Sequence, residues 1–208
     1  MIVNAQKRSF GIGSKVSLFT LGTMRAADSL KKMYDILKSA HFAGINHLET
    51  AQSYGEAEFL IGQSLNRLDN LKIINKENWV ITTKVLPKGD LRELKRNFYN
   101  SLKNLGVHRI NNLAIHGLNL DEHLDWVMKG DGQKFIQWLI KNNLIDQIGF
   151  SSHGDFHLIN KAINCDLFNF CSLHLHLFDQ SKFPLARKAL NKNMGVMAIS
   201  PADKGGKL

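Results

Sequence analysis

Residues 79–116, WVITTKVLPKGDLRELKRNFYNSLKNLGVHRINNLAIH, hold a complete strand–helix–strand unit. Two short apolar runs, Trp79–Val85 and Asn112–His116, read as buried strands. Between them Leu91, Leu94, Phe98, Leu102 and Leu105 recur at helical spacing, and Gly106 closes the helix. A unit of this kind joins parallel strands by a right-handed crossover.

The same punctuation repeats along the rest of the chain. Further strand-like runs lie at Leu18–Thr23, Ile45–Thr50, Ile145–Ser151, Phe168–Leu175 and Gly195–Ser200. Each is bounded by Gly, Asn, Asp or Pro, and the mean step between runs is about 30 residues. Helical stripes fill the gaps. Leu30, Met33, Tyr34, Leu37 and Ala40 share a face, with Asp28 or Ser29 as N-cap and Gly44 beyond the end. Leu60, Ile61, Ser64, Leu65 and Leu68 repeat the spacing, and Phe135, Ile136, Leu139 and Ile140 make a shorter stripe. Trp126 and Trp138 fall within helical patterns and read as packing residues.

Strict alternation of strand and helix predicts a parallel sheet. A doubly wound sheet normally carries G-x-G-x-x-G after its first strand. Here Met24-Arg25-Ala26-Ala27 follows instead, while Gly11-Ile12-Gly13 precedes the strand and reads as a hairpin turn. Polar residues collect at the C-terminal ends of several strands, where barrels place their active sites. The expected fold is therefore α/β, of the (β/α)8 TIM-barrel type, as one domain over residues 1–208. With seven strand signals in 208 residues, against about 250 for a typical barrel, the barrel is expected to be incomplete, lacking its eighth βα unit and truncated at the C-terminus.

Composition narrows the partners. Apolar residues make up 44% and charged residues 22% of the chain, as in ordinary globular domains and unlike disordered tails. The formal charge is +9, but it is scattered, without an arginine-rich arm, so no nucleic acid is expected as partner. The longest uncharged stretch, Leu167 to Phe178, is too short to span a bilayer, and no signal peptide is visible. Cys165 and Cys171 lack metal-ligand spacing, which suits a reducing cytoplasm.

Four polar residues sit at or just past the ends of consecutive strands: Glu49 and Tyr54 in HLETAQSYG, Lys84 in ITTKV and His116 in LAIHG. On a parallel barrel these ends are neighbours on one rim. Together they suggest proton donation to a carbonyl. A phenol, with an ordinary pKa near 10, is a weak acid at neutral pH. A nearby ammonium would stabilise the phenolate, a carboxylate would hold the lysine charged, and an imidazole would orient the substrate oxygen.

The run AGINHLETAQSYGEAEFLIGQSL, residues 43–65, resembles the signature of the aldo/keto reductases. The likeness continues through TTKV, SLKNLGVHRINNLAIHG, IGFSSHG and MAISPADKGGKL. The SSHG and GGKL elements are most similar to the branch whose longer members carry a cysteine-rich iron–sulfur segment. The resemblance implies a cytoplasmic NADPH-dependent oxidoreductase acting on an aldehyde or ketone. Tyr54 matches the proton donor, Lys84 its partner and His116 the orienting imidazole, while Glu49 stands where the family usually has Asp. Gly22, Thr23 and Met24 match the segment along the nicotinamide, Ser151 the carboxamide contact, and Ser152 replaces a common Asn. Ser200 matches a cofactor-side residue, Ile199 stands where an aromatic often stacks, and Lys204, Gly205 and Gly206 suit the pyrophosphate. No CxxCxxC run follows, so no iron–sulfur cluster is assigned. An alternative reading is a catalytically weak or inactive remnant with a binding or regulatory role.

No metal is expected. His174 and His176 share one side of a strand at i, i+2 spacing, but no acidic cluster at neighbouring strand ends completes a site. A metal-dependent hydrolase built on that pair is the third reading.

Overall fold

The computed structural model describes residues 5–26 and 28–201. The chain opens with a small antiparallel hairpin, β1 (Lys7–Arg8) and β2 (Val16–Ser17). Gly11 sits in its connecting turn with φ +58, a conformation in which a side chain would be strained. The strand–helix alternation then begins with β3 (Thr20–Gly22), α1 (Leu30–Phe42), β4 (His47–Glu49), α2 (Ala57–Asn70), β5 (Val80–Val85), α3 (Leu91–Leu105) and β6 (Ile110–Ile115). It continues with α4 (Asp121–Lys129), α5 (Asp131–Lys141), β7 (Ile145–Ser152), α6 (Phe156–Asn164), β8 (Phe170–His174), α7 (Phe183–Asn191) and β9 (Gly195–Ile199).

Strands β3 to β9 pair in sequence order, every pair parallel, in one seven-stranded sheet. All seven expected runs are strands, displaced by at most a few residues at their ends. Among the described residues β3 and β9 each pair on one side only, so the barrel is open there.

The helices begin and end where local chemistry dictates. Ser29, not Asp28, caps α1 by accepting from the Lys32 N–H at 3.2 Å. The Asp90 carboxylate caps α3 through the Glu93 N–H at 2.8 Å, and Gly106 ends that helix in the left-handed region at φ +66. Their apolar stripes face the sheet, where Met33, Leu37, Leu65, Leu68, Phe98, Leu105, Phe135 and Leu139 join one large core. Trp138 packs among Phe98, Tyr99 and Phe135, bridging α3 and α5. Ile140 lies at the edge of its stripe and is exposed.

Side chains alternate across each strand, so every second residue points into the barrel. On β5, Ile81 and Val85 join the helix-side core, whereas Val80 belongs to a separate inner cluster with Phe10, Val16, Ala114, Phe170 and Met197. Phe10, from the hairpin, lies 5.2 Å by ring centroid from both His47 on β4 and Phe170 on β8. Strands four apart in the sheet thus meet one ring, which requires the sheet to curl round it. A Cβ on Gly195 would stand 2.7 Å from that ring, so only glycine leaves room for the plug.

Above this plug lies a polar belt. The Thr20 hydroxyl meets His47 Nδ1 at 2.9 Å, His47 Nε2 meets the Thr82 hydroxyl at 2.8 Å, and Asn112 Nδ2 donates to Thr82 at 2.9 Å. Gln147 Nε2 donates to Asn112 at 2.7 Å and to the Phe10 carbonyl at 3.0 Å, and Gln147 Oε1 accepts from the Ile12 N–H at 3.1 Å. Five strands and the hairpin turn are joined by buried and half-buried groups that satisfy one another. Burial, with a smaller contribution from Arg8, pushes the His47 imidazole down to about 4, so it stays neutral within the belt.

Cys165 and Cys171 are free thiols. No helix of the described residues is long and apolar enough to cross a membrane.

Candidate active site

The curled sheet brings the C-terminal strand ends onto one cavity of about 610 Å³, a size suited to a small molecule. Its lining includes Glu49, Tyr54, Lys84 and His116, the four residues singled out from strands β4 to β6 and the loop after β4.

Lys84 is the centre of the group. It points inward from β5 and is 2% exposed. An ammonium has three hydrogens and no acceptor, and Lys84 Nζ finds three acceptors. It donates to the Thr50 carbonyl at 2.9 Å and to the Tyr54 hydroxyl at 3.0 Å, and it forms an ion pair with Glu49 Oε1. Glu49 is the longer homologue of the usual aspartate, yet its carboxylate meets the ammonium directly. The Lys84 nitrogen also stands 4.5 Å from the Tyr54 ring centroid. Because Tyr54 Oη accepts from Lys84, its own O–H is left to point at a ligand.

The electrostatics pull in two directions. Burial pushes Lys84 down to about 7, while the Glu49 carboxylate in contact with it favours the charged form. Burial raises the Tyr54 phenol, against the lowering expected from its cationic neighbour. The phenol therefore holds its proton in the resting protein, and Lys84 acts on the anion left when that proton departs. His116 is pushed down to about 4 by burial first, then by Lys84 and His153, so its imidazole is neutral. Its ring meets Tyr54 edge to face at 5.7 Å, and Nδ1 lies 3.1 Å from the Ser53 hydroxyl. With Ser53 donating to Nδ1, the Nε2–H is left as a donor.

The remaining sequence candidates divide. Gly22, Met24, Ser151 and Ser200 line the cavity, as does Ile199. Thr23 and Ser152 do not. Thr23 is wholly buried, its hydroxyl donating to the Glu49 carbonyl at 3.0 Å. Ser152 donates to the Leu118 carbonyl at 2.6 Å and accepts from the Gly154 N–H at 2.9 Å, tying the loops behind the rim. The reason is the pleat: Ser151 and Ser152 are consecutive on β7, so only one can face inward. Lys204, Gly205 and Gly206 lie outside the described residues.

Arg25, Thr20, His153 and Met197 also line the cavity. Of these, Arg25 in the loop after β3 was the overlooked cation, and its place in a loop following a strand was the available signal.

Residues 19–207 match the sequence model of the aldo/keto reductase family. The chain belongs to that family. Solved aldo/keto reductases share its architecture. A Pseudomonas aeruginosa protein described as an aldo-keto reductase is 23% identical with a TM-score of 0.80, over 96% of this chain and 79% of that one. A Brucella melitensis aldo/keto reductase gives 20% and 0.76, over 95% and 73%. A Bombyx mori aldo-keto reductase, solved in complex with NADP, gives 22% and 0.76, over 95% and 67%. At these identities the likeness is one of fold, an aldo/keto reductase barrel represented by seven parallel strands.

Proposed function

We propose that this chain is an NADPH-dependent oxidoreductase that reduces an aldehyde or ketone, with Tyr54 as proton donor. The carrying observation is the 3.0 Å contact in which Lys84, its other hydrogens committed to Thr50 and Glu49, donates to the Tyr54 hydroxyl at the cavity wall.

The cavity's own residues fit a nicotinamide cofactor. Gly22 presents bare backbone, Ser151 and Ser200 offer hydroxyls, Met24 and Ile199 offer apolar surface, and Arg25 supplies a cation suited to phosphate. When bound, NADPH supplies the hydride. The NADP complex of the silkworm enzyme supports this choice, as does the match to the family's sequence model.

Within that reading, His116 Nε2 and Tyr54 Oη hold the substrate oxygen between two donors. As negative charge grows on that oxygen, the Tyr54 proton passes to it, and Lys84 stabilises the resulting phenolate. Glu49 keeps Lys84 charged and in place, and Thr50 fixes its direction through the backbone. The SSHG element, residues 151–154, supports kinship with the branch whose longer members carry an iron–sulfur segment.

The test is direct. Carbonyl-dependent oxidation of NADPH, followed by absorbance, is expected to fall by about 100-fold or more in Tyr54→Phe, the usual worth of a general acid. Equal rates for the two proteins would remove Tyr54 from its role. Absence of turnover in the wild type, with NADPH still bound, would favour the inactive-remnant reading.

A further inference from the structure

The rim beside the cavity carries a second cluster that the proposed reduction does not use. Strand β8 ends at His174, and two residues later His176 opens a tight turn that Asp179 closes: the Asp179 N–H donates to the His176 carbonyl at 3.2 Å, and the two residues form an isolated antiparallel bridge. One ring nitrogen from each histidine and one carboxylate oxygen of Asp179 all lie within 4.8 Å of one another. The two imidazoles stand 4.9 Å apart by ring centroid. Sequence spacing places the histidines together, but the carboxylate that completes the set comes from the turn rather than from a neighbouring strand end.

Two features mark this as more than three polar residues in a loop. His174 Nε2 is buried and has no hydrogen-bond partner, an unmet need that an ion or other ligand could satisfy. The Asp179 carboxylate accepts hydrogen bonds from the Ser181 hydroxyl at 2.6 Å and from the Ser181 N–H at 3.1 Å. Both bonds fall on Oδ1, the kind of support that metal-binding carboxylates receive.

We propose that His174, His176 and Asp179 form a binding site for a divalent transition metal ion of the zinc class. Two imidazoles and a carboxylate suit such an ion and leave one position of a tetrahedron for water or a solute. Ligands at 2.0–2.1 Å from tetrahedral zinc stand roughly 3.4 Å apart, so a small rotation of the side chains closes the site. The ion would clasp the β8–α7 turn to the strand end. His174 is in ring contact with His153 at 5.8 Å, and His153 lines the cavity, so the clasp would steady one wall of the cavity mouth. This site is independent of the Tyr54 chemistry.

The full chain, stripped with a chelator and dialysed, is titrated with Zn2+ by calorimetry. One ion per chain is expected, with a rise in Tm as zinc is added. His176→Gln and Asp179→Asn should each weaken binding by about 100-fold or more, since even changes behind the ligands cost about 10–100-fold. His157→Gln, on the exposed face of α6, should bind as the wild type does. Co2+ added to the wild type provides a readout that needs no variant: weak d–d bands without a thiolate charge-transfer band are expected from a nitrogen and oxygen donor set. No saturable Zn2+ binding, binding unchanged in both variants, or a thiolate band pointing to the cysteines would overturn the proposal.

Discussion

Lys84 has three hydrogens to place, and the way it places them decides the direction of the Tyr54 proton. That makes Glu49 the residue most open to experiment. Burial alone pushes Lys84 down to about 7, and the adjacent carboxylate opposes this. Loss of the Lys84 proton at rising pH would leave the phenolate unsupported, so the rate of carbonyl reduction is expected to fall on the alkaline side. In Glu49→Gln the ammonium loses its counter-charge, and that limb should move to lower pH by about one unit or more. A pH profile of kcat for both proteins checks this. An unmoved limb would mean that Lys84 does not control it. The four polar residues themselves were legible in the sequence because each stands at a strand end or in the loop that follows one. The pairing Ser151–Ser152 was not resolved, because one residue of register decides which hydroxyl faces the cavity.

At the scale of elements, two contacts oppose what local propensity suggests. Gly62 lies in the middle of α2, where alanine would ordinarily favour the helix by about 1 kcal/mol. Here a Cβ would stand 2.0 Å from the Asn104 carbonyl oxygen, on the backbone of α3. Gly62→Ala is therefore expected to destabilise the protein by about 1–3 kcal/mol through forced separation of the two helices, measurable by urea unfolding. The second contact is the polar belt across β3 to β7. His47 has an imidazole pushed from 6.5 to about 4. Between those values the unfolded chain takes up a proton that the folded belt refuses. Stability should thus fall as pH drops through that window, by about 3 kcal/mol from this residue, and level off below it. His116 is also pushed down to about 4 and adds its own dependence. The contribution of His47 is accordingly read as the difference in slope between the wild type and His47→Gln. The helical stripes and caps were visible in the sequence, since they follow from spacing and single residue types. The belt was not, because its members are separated by some thirty residues each and meet only through the lateral pairing of strands.

For the whole molecule, closure of the lower end depends on one ring. Phe10 comes from outside the parallel sheet, is 2% exposed, and packs against His47, Phe170 and Gly195 from three strands. Phe10→Ala is expected to cost about 3–5 kcal/mol, the usual loss for a buried aromatic, read as a lower urea midpoint with little change in slope. If the unfolding free energy stays within about 0.5 kcal/mol of the wild type, the plug is dispensable and the sheet holds its curl unaided. The hairpin turn around Gly11 was evident from the sequence, whereas its use as a barrel floor was not, since nothing local to Phe10 indicates what lies opposite it.

The alternation of strands and helices, the parallel pairing and the strand ends at which Glu49, Lys84 and His116 stand are all written in the amino-acid pattern. These depend on period, on turn residues and on the handedness of crossovers, all of which act over a few tens of residues. The folded chain alone settles that Lys84 shares its hydrogens among Thr50, Tyr54 and Glu49, that Ser151 rather than Ser152 faces the cavity, and that Asp179 folds back on the two histidines. Those outcomes rest on distances of a few ångströms between side chains remote in the sequence or turned by a single loop, and such distances are set by packing rather than by pattern.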